Sequence, residues 1–310
     1  MTAPILFVVN PASAAGRTGR DWVATTQILK AAGLEFDSAM TSGPEDATAI
    51  ARRAVKESRP VVVAVGGDGT LNEVVNGFFE NGEPIPTKSR LAMLPQGTGG
   101  DFRRTLNIPL DITAAAKVIA SGVPRRLDAG RVTFKTAGGG SGVRHFINIA
   151  DAGIGGEVVH RVNAGSKRLG AATFTLTSLM TLFQWKNKPM SVVIDGAPHH
   201  MVAAQQVVVA NCQYFGGGMR MAPTASPTDG WFDVILIGDV GAVENLRGLG
   251  KIRSGKHLEE GNPKFEAING KRIEVSSPAE VRIDVDGEQP GILPAVFEMQ
   301  QSAIEFIAPS

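Results

Sequence analysis

The stretch VVVAVGGDGTLNEVVNGF, residues 61–78, joins an apolar strand to a helix through a glycine-rich turn. Residues 61–65 form a short β-branched run, which is typical of a strand covered on both faces of a parallel sheet. Beyond the turn, apolar side chains recur at i, i+3, i+4 and i+7, which predicts the buried face of a helix: Leu71, Val74, Val75 and Phe78. The stretch therefore predicts one strand-turn-helix step of a parallel sheet.

The turn itself has the composition of a phosphate site. Thr70 and Glu73 have capping-box spacing, with Thr70 predicted as the N-cap of the helix. Free N–H groups and the positive end of the helix dipole attract phosphate, and glycine lets the backbone approach it closely. Asp68 would repel a bare phosphate, so its presence suggests a bound Mg²⁺ or a sugar hydroxyl between the two.

Strand and helix patterns alternate through the first part of the chain. Strands are predicted at 5–9, 35–40, 61–65 and 91–94, and helices at 21–32 and 112–120, with the Leu71 helix between them. This alternation predicts an α/β domain over residues 1–127 with a doubly wound parallel sheet. Ligands of such sheets bind beyond the carboxyl ends of the strands.

After residue 127 the pattern changes to short β-rich runs separated by glycine. Strands are predicted at 131–134, 145–149, 190–194, 206–210, 232–237, 272–275 and 281–285, with helices at 170–185 and 243–251. This pattern predicts a mainly antiparallel β-sandwich over residues 128–310, whose C-terminal tail is free to return to the first domain.

Composition excludes several classes of protein. The net charge of +1 and the lack of a basic stripe with interleaved aromatics argue against nucleic acid binding. The single Cys212 excludes an internal disulfide and fits a reducing, cytoplasmic compartment. No apolar run approaches the roughly 20 residues that cross a bilayer, so we expect no transmembrane segment.

The two common nucleotide fingerprints, G-x-x-x-x-G-K-[ST] and G-x-G-x-x-G, do not occur. Three loops instead follow three candidate strands of the first domain, and their tips are expected along one sheet edge. Their hydroxyls, amides and arginines form a plausible cradle for a nucleotide triphosphate. They contain Asn10, Ser13, Gly16, Arg17 and Arg20, then Gly66, Gly67, Asp68, Gly69 and Thr70, then Gly97, Thr98 and Asp101.

Together these motifs resemble the diacylglycerol kinase catalytic-domain family, which includes soluble bacterial lipid kinases, sphingosine kinases and ceramide kinases. The resemblance covers nearly the whole chain. It rests on Asn10-Pro11 with Ser13 and Gly16, GGDGT at 66–70 with Asn72-Glu73, Gly97-Thr98 with Asp101-Phe102 and Arg104, Asp128-Ala129-Gly130, FGGG at 215–218, Ala222-Pro223, Asp229-Gly230 and Asp286-Gly287-Glu288.

The resemblance implies ATP-dependent phosphorylation of a lipid hydroxyl, with ATP and Mg²⁺ held by the first domain and an active site in the interdomain cleft. By the family pattern, residues 66–70 cradle the nucleotide phosphates. Asp68, Asp101 and Asp128 belong to an aspartate, water and Mg²⁺ network. Asp229 matches a second, structural Mg²⁺ site, completed by backbone carbonyls expected at Ser226 and Trp231.

Asp286 has two interpretations. It matches the family's general base, with Glu288 as its neighbour in the cleft, and a carboxylate that accepts the proton of a hydroxyl makes it a better nucleophile. The sequence pattern alone favours a plain hairpin turn, because Asp-Gly after an alternating run is a common turn. With the resemblance, the catalytic role is favoured.

The chain departs from the family pattern in the first domain. Relatives usually read Gly-Thr-x-Asn-Asp where this chain has Gly100 before Asp101. The missing side-chain amide could otherwise hold the nucleotide or fix the loop. Ala14 likewise stands where many relatives have glycine.

Two surfaces of the second domain could meet a lipid. The apolar helix at 169–185 could line an acyl-chain pocket with Phe174, Leu179, Met180, Leu182, Phe183 and Trp185, or could pack as core. A short basic cluster could meet lipid headgroups or be a solvated face: Lys251, Arg253, Lys256 and His257.

We therefore expect a lipid kinase that meets its substrate at the membrane surface through peripheral, transient contact, and a homodimer is among the expected assemblies. An NAD kinase-like enzyme is the alternative activity, because GGDGT serves that chemistry too. A non-catalytic nucleotide- or lipid-binding regulator is the alternative of another class, motivated by Gly100. The acceptor lipid is not determined by the sequence.

Overall fold

The computed structural model describes residues 4–97, 99–164, 170–259 and 261–310, without the side chains of residues 164, 170–176 and 202. Its contacts divide the chain into two compact units. The first unit consists of Met1–Ala129 and Gln301–Ser310, and the second of Gly130–Gln300. The chain thus leaves the first unit once and returns to it for its last residues.

The first unit alternates strands and helices as the sequence predicts. Its elements are β1 (Ile5–Val9), α1 (Arg17–Arg20), α2 (Trp22–Ala31), β2 (Phe36–Met40), α3 (Asp46–Lys56), β3 (Val61–Gly66), α4 (Asp68–Asn76), β4 (Phe79–Glu80), β5 (Glu83–Pro84), β6 (Arg90–Pro95), α5 (Asp101–Thr105), α6 (Ile112–Ser121) and the start of β7 (Val123–Lys135).

The main sheet of this unit is parallel and has the strand order β6-β3-β1-β2. Strand β3 is buried along its whole length, which explains its continuous β-branched sequence. The core beside it contains Phe7, Trp22, Leu29, Leu94 and Ile119. The predicted doubly wound α/β class is confirmed, and the carboxyl ends of β1, β3 and β6 bring the three loops to one edge.

The last residues of the chain complete this unit. Phe306 pairs in parallel with Leu91 of β6, and its ring packs edge-on against Phe102 with 5.5 Å between centroids. The Ser302 amide donates to the Asp128 carboxylate at 2.6 Å. A strand from the far end of the sequence therefore lies beside β6.

The second unit contains the remaining elements. They are β8 (Ser141–Phe146), β9 (Ile149–Gly153), α7 (Ile154–Ala164), α8 (Gly170–Gln184), β10 (Lys188–Ile194), β11 (Ala197–Ala204), β12 (Gln206–Ala210), β13 (Tyr214–Phe215), β14 (Met219–Arg220), β15 (Phe232–Ile237), α9 (Ala242–Ser254), a 3-10 turn at Lys256–Leu258, β16 (Phe265–Gly270), β17 (Arg272–Ser276), β18 (Ile283–Val285) and β19 (Ile292–Ala308).

Two sheets pack face to face in this unit. One has the order β11-β10-β17-β19 with β7 and β8 attached, and the other has the order β16-β15-β12-β9-β18. The pairings between neighbouring strands of the second sheet are antiparallel. Their shared core contains Phe134, Phe146, Val207, Phe232 and Phe297. The predicted antiparallel sandwich is confirmed.

The predicted strand at 145–149 is wrong in one respect. The structure divides it between β8, which ends at Phe146, and β9, which begins at Ile149. The backbone N–H groups of residues 147 to 149 donate to the carboxylate of Asp286. A side chain distant in sequence thus takes these donors, and no local pattern could reveal it.

Candidate active site

Asn10 connects the first loop to the glycine-rich turn. Its Nδ2 donates to Thr70 Oγ1 at 3.0 Å, and its Oδ1 accepts from the Ala12 amide at 3.0 Å. Both ends of the amide side chain are therefore used to hold the two loops.

The first loop is also tied to the third. Ser13 Oγ and Thr18 Oγ1 are hydrogen-bonded to each other at 2.5 Å, and they lie 3.3 and 3.2 Å from the carbonyl oxygen of Gln96, which accepts from the hydroxyl whose proton is not used between them. The loop itself is strained, because Ala14 and Ala15 have φ values of 51° and 56°, in the left-handed region that favours glycine. This explains physically why glycine suits position 14 in relatives.

The glycines of the second and third loops are packed against each other. An added Cβ at Gly97 would lie 2.3 Å from the Cα of Gly67, and one at Gly66 would lie 2.4 Å from Thr70 Oγ1. Neither position has room for a side chain. The two loops thus present closely spaced backbone at the carboxyl ends of β3 and β6, where the sequence predicts the nucleotide phosphates.

The predicted capping box at Thr70 and Glu73 is wrong. Helix α4 begins two residues earlier, at Asp68, with Gly67 as its N-cap. Glu73 Oε2 instead accepts from the Ala47 amide of α3 at 3.2 Å. The glycine turn lets the helix start sooner, and Thr70 Oγ1 is engaged with Asn10.

Asp68 caps a neighbouring helix. Its carboxylate accepts from the backbone amides of Asp101 and Phe102, at 3.0 and 3.3 Å, at the start of α5. Asp101 Oδ1 lies 3.6 Å from Arg104 Nε. The structure therefore places the Asp68 carboxylate against the backbone of Asp101, and the resemblance implies that the two residues lie close together.

Carboxylate oxygens are suitable ligands for Mg²⁺, so Asp68 and Asp101 fit the predicted metal chemically. Asp128 is held by the amide of Ser302. Its predicted place in the same network stays a prediction. Within the described part of the chain, no three acidic, histidine or cysteine side chains form a ready-made metal cluster.

Gly100 adopts the left-handed conformation, with φ 65° and ψ 45°, as the N-cap of α5. A Cβ there would lie 2.9 Å from Nε of Arg103, the far end of a flexible side chain. Asparagine is among the non-glycine residues that tolerate this backbone best. The structure thus accepts either glycine or the asparagine usual in relatives.

We expect Gly100→Asn to keep the fold and to tighten ATP binding about fivefold, because one added hydrogen bond contributes about 1 kcal/mol. Calorimetric titration with Mg-ATP measures this affinity. Gly100→Ala is the matched control, since it adds a Cβ without an amide. Equal affinities for the two variants would contradict a nucleotide-binding role for this position.

The remaining predicted nucleotide residues have different surroundings. Gly16 has a φ of 80° and precedes the exposed side chain of Arg17. Gly69 lies within the first turn of α4. Thr98 lies outside the described residues. The roles of these four residues and of Arg104 toward a nucleotide stay predictions.

Asp286 and Gly287 form a two-residue turn in the second unit. Their φ values are 51° and 88°, and Val285 and Glu288 exchange backbone hydrogen bonds across the turn at 2.8 and 3.0 Å. The hairpin interpretation is therefore correct as a description of the backbone. The side chain of Glu288 is exposed.

The carboxylate of Asp286 is nevertheless buried, and both of its oxygens accept backbone hydrogen bonds. It is 9% exposed and accepts three backbone amides, from Ile147 at 3.0 Å, Asn148 at 3.1 Å and Ile149 at 3.0 Å. Its own amide donates to the Ile149 carbonyl at 3.0 Å. The turn and the gap between β8 and β9 thus fix one carboxylate in one orientation.

A second Asp-Gly turn in the same unit provides a comparison. Asp195 has a φ of 48°, precedes Gly196 between β10 and β11, and accepts the amides of Lys271 and Arg272. Asp195 is exposed, whereas Asp286 is buried. An aspartate in an Asp-Gly turn that accepts hydrogen bonds from backbone amides is therefore not catalytic on that ground alone.

The residues of the predicted second Mg²⁺ site occupy one tight loop. Asp229 Oδ1 accepts from the Trp231 amide at 3.0 Å, and the Asp229 amide donates to the Ser226 carbonyl at 3.5 Å. Carboxylate and carbonyl oxygens suit Mg²⁺. The loop fits this role, which stays a prediction.

Comparison with known proteins relates both units to one family. Residues 4–132 match the diacylglycerol kinase catalytic domain, and residues 148–308 match the YegS C-terminal NAD kinase beta sandwich-like domain. Diacylglycerol kinases of Staphylococcus aureus strains RF122 and MRSA252 are each 32% identical over 309 residues, which is 98% of this chain and 92% of theirs. The chain belongs to the diacylglycerol kinase family. The predicted alcohol-accepting phosphotransferase, a lipid kinase at the family level, is confirmed.

Solved structures agree with this family and fold. A crystal structure from Bacillus anthracis that carries the diacylglycerol kinase name has a TM-score of 0.77 and 25% identity, over 98% of this chain and 96% of its own. Yeast NADH kinase complexed with NADH has a TM-score of 0.50 and 12% identity, over 100% of this chain and 84% of its own. The second likeness concerns the fold alone.

Helix α8 exposes apolar side chains. Leu179, Met180 and Phe183 are 40%, 52% and 57% exposed, whereas Leu182 and Trp185 are half-buried. Core packing therefore does not account for the first three, and the side chain of Phe174 lies outside the described residues. Among the described residues, none of the helices combines the length and apolar character needed to cross a membrane.

Sequence reasoning missed a pair of buried acids beside Asp286. Asp151 of β9 and Asp284 of β18 are 1% and 9% exposed and lie opposite each other in register. Burial raises the pKa of Asp151 to about 7. Burial, and then the charge of Asp151, raise the pKa of Asp284 well above its usual range. Asp284 stands at a polar position of the alternating run before Asp-Gly, so the sequence pattern gave no sign that it is buried.

Proposed function

We propose that this protein is a Mg²⁺- and ATP-dependent kinase that transfers the γ-phosphoryl group to the hydroxyl of diacylglycerol or a related lipid alcohol. The observation that carries the proposal is the match to Staphylococcus aureus diacylglycerol kinases over 98% of the chain. The fixed carboxylate of Asp286 supports it, since a positioned base is what a lipid hydroxyl needs.

In the proposed reaction the lipid hydroxyl oxygen bonds to the γ-phosphorus while the bond to the bridging β–γ oxygen breaks and ADP leaves. Asp286 accepts the hydroxyl proton, and Glu288 is its neighbour. The backbone of residues 66–70 and 97 binds the nucleotide phosphates. Mg²⁺, held by Asp68 and Asp101 with Asp128, would neutralise charge on the phosphates.

Transfer of labelled γ-phosphate from Mg-ATP to lipids in mixed micelles tests the proposal. The panel contains diacylglycerol, monoacylglycerol, phosphatidylglycerol, sphingosine and ceramide, and reactions without Mg²⁺ are the control. We expect label in diacylglycerol or a close analogue, and only with Mg²⁺. Label in no lipid, with ATP still bound, would overturn the proposal and favour a binding role.

NAD in the same panel tests the alternative activity. The likeness to yeast NADH kinase is one of fold, at 12% identity. Label in NAD but in no lipid would replace the lipid proposal by an NAD kinase-like one.

A further inference from the structure

The carboxyl groups of Asp151 and Asp284 lie on neighbouring strands beside the Asp286 turn. Asp151 and Asp284 are directly opposed in an antiparallel pair, which places their side chains on the same face of the sheet. Both are at least nine-tenths buried. The carboxylate of Asp151 also lies so close to α7 that a Cβ at Gly155 would be 2.2 Å from its Oδ2. Both carboxyl groups are therefore largely removed from solvent.

Asp284 is joined to the turn by a direct hydrogen bond. Its Oδ1 accepts from the Gly287 amide at 2.8 Å, and this bond closes the loop around Asp286. Any change in the charge or position of Asp284 therefore reaches the backbone that carries the proposed base.

The charged groups around Asp151 and Asp284 do not offset the repulsion between the two carboxylates. Asp286 and Glu288 both raise the pKa of Asp284. On β12 the polar neighbour is the neutral Gln206, whose strand pairs with β9. On α7 the titratable side chains are Glu157, His160 and Arg161, and Glu157 is held by Arg161 and Arg282 at 2.7 and 2.8 Å. Two ionised carboxylates that are buried on opposed positions of neighbouring strands repel strongly, so one of them keeps a proton.

We propose that Asp151 and Asp284 share a proton and act as positioning residues for the Asp286 turn. While the pair holds its proton, the bond from Gly287 to Asp284 keeps Asp286 seated on the amides of residues 147 to 149. When both acids ionise, their repulsion separates β9 from β18 and displaces the turn. The expected effect on turnover rests on the proposed function. The expected displacement of the Asp286 turn does not depend on it.

Amide chemical shifts test the turn without any assay of activity. The Gly287 N–H reports on Asp284, and the Ile149 N–H reports on the seating of Asp286. In the unaltered protein we expect both amides to titrate together, with a midpoint well above the usual range of a carboxyl group. In Asp151→Asn the midpoint should move to lower pH, because the neighbouring charge is gone. A Gly287 amide that does not titrate above about pH 6, or an Ile149 amide that does not follow it, would overturn the proposal.

Turnover against pH tests the consequence for catalysis. Between about pH 7 and pH 9 we expect kcat of the unaltered enzyme to fall roughly threefold or more, as the pair loses its last proton. Asp151→Asn and Asp284→Asn carry at most one charge there, so each should lose this alkaline fall. Asp195→Asn, in the other Asp-Gly turn, should keep it. The same alkaline fall in all four proteins would overturn the catalytic consequence.

Thermal unfolding shows whether the variants fold and gives an independent check. A raised pKa in the folded state destabilises it as pH rises from the unfolded value of about 4 to the folded one. The Tm of Asp151→Asn relative to the unaltered protein should therefore rise between about pH 4 and pH 7 and level off above. A flat difference would count against the pair. If the amides titrate as expected but no lipid is phosphorylated, the pair stands and the proposed function fails.

Discussion

Asp286→Asn should lower kcat for phosphoryl transfer about 10²- to 10⁴-fold, the range over which a positioned base contributes, with ATP binding retained. Asparagine is the informative substitution, because it tolerates the φ of 51° at this turn better than alanine does. Its oxygen can still accept the amides of Asn148 and Ile149. Its NH₂ group would face the donor of Ile147, at a cost of about 1–3 kcal/mol for the unmet hydrogen bond.

The control for this variant is Asp195→Asn, since both aspartates have positive φ, precede glycine and accept backbone amides. Any loss of stability that comes from weakening an Asp-Gly turn should appear in both variants as a lower Tm. Only the Asp286 variant should lose kcat at temperatures where both are folded. Unchanged kcat in the Asp286 variant would show that another group accepts the proton, and equal losses in both variants would show a structural effect.

Gly97→Ala should reduce the affinity for Mg-ATP about 5- to 150-fold and lower Tm, because overpacking typically costs about 1–3 kcal/mol. The added Cβ would lie 2.3 Å from the Cα of Gly67 and 2.9 Å from its backbone nitrogen. Backbone atoms cannot move aside as the end of a flexible side chain can. The added Cβ would therefore force the glycine-rich turn and the third loop apart. Calorimetry with Mg-ATP and thermal unfolding measure the two effects.

Gly43→Ala is the matched control in the same unit, because a Cβ there would meet nothing within 4 Å. Its affinity and Tm should match those of the unaltered protein. If Gly97→Ala also leaves both unchanged, the close approach of the two loops does not matter for the nucleotide.

Much of the fold was predictable because the spacing of apolar residues along single strands and helices agrees with which of their residues are buried. Strands β1, β12 and β15 have the predicted bounds, since each is a mainly apolar, β-branched or aromatic run that ends at turn residues. The helix start at Asp68 was not predictable from Thr70 and Glu73, because Asn10 and Ala47 from distant segments take the side chains that a capping box would use.

The candidate site divides in the same way. Local motifs indicated the glycine turn and the Asp-Gly turn, and the family resemblance gave them roles. The amides that hold Asp286, and the opposition of Asp151 to Asp284, depend on strand register across more than 130 residues of sequence. Such pairings are properties of the folded sheet, and one sequence contains no periodic trace of them.

The return of the chain to its first unit has a consequence for synthesis on the ribosome. Strand β6 has Phe306 as a neighbour, and Asp128 is bound by the amide of Ser302. These contacts cannot form until the C-terminal residues have left the exit tunnel, whereas residues 130 to 300 are complete earlier. Domains generally fold in the order in which they emerge. Here the unit that contains β6 cannot be completed before the second unit has been synthesised, and until then β6 has an unpaired edge.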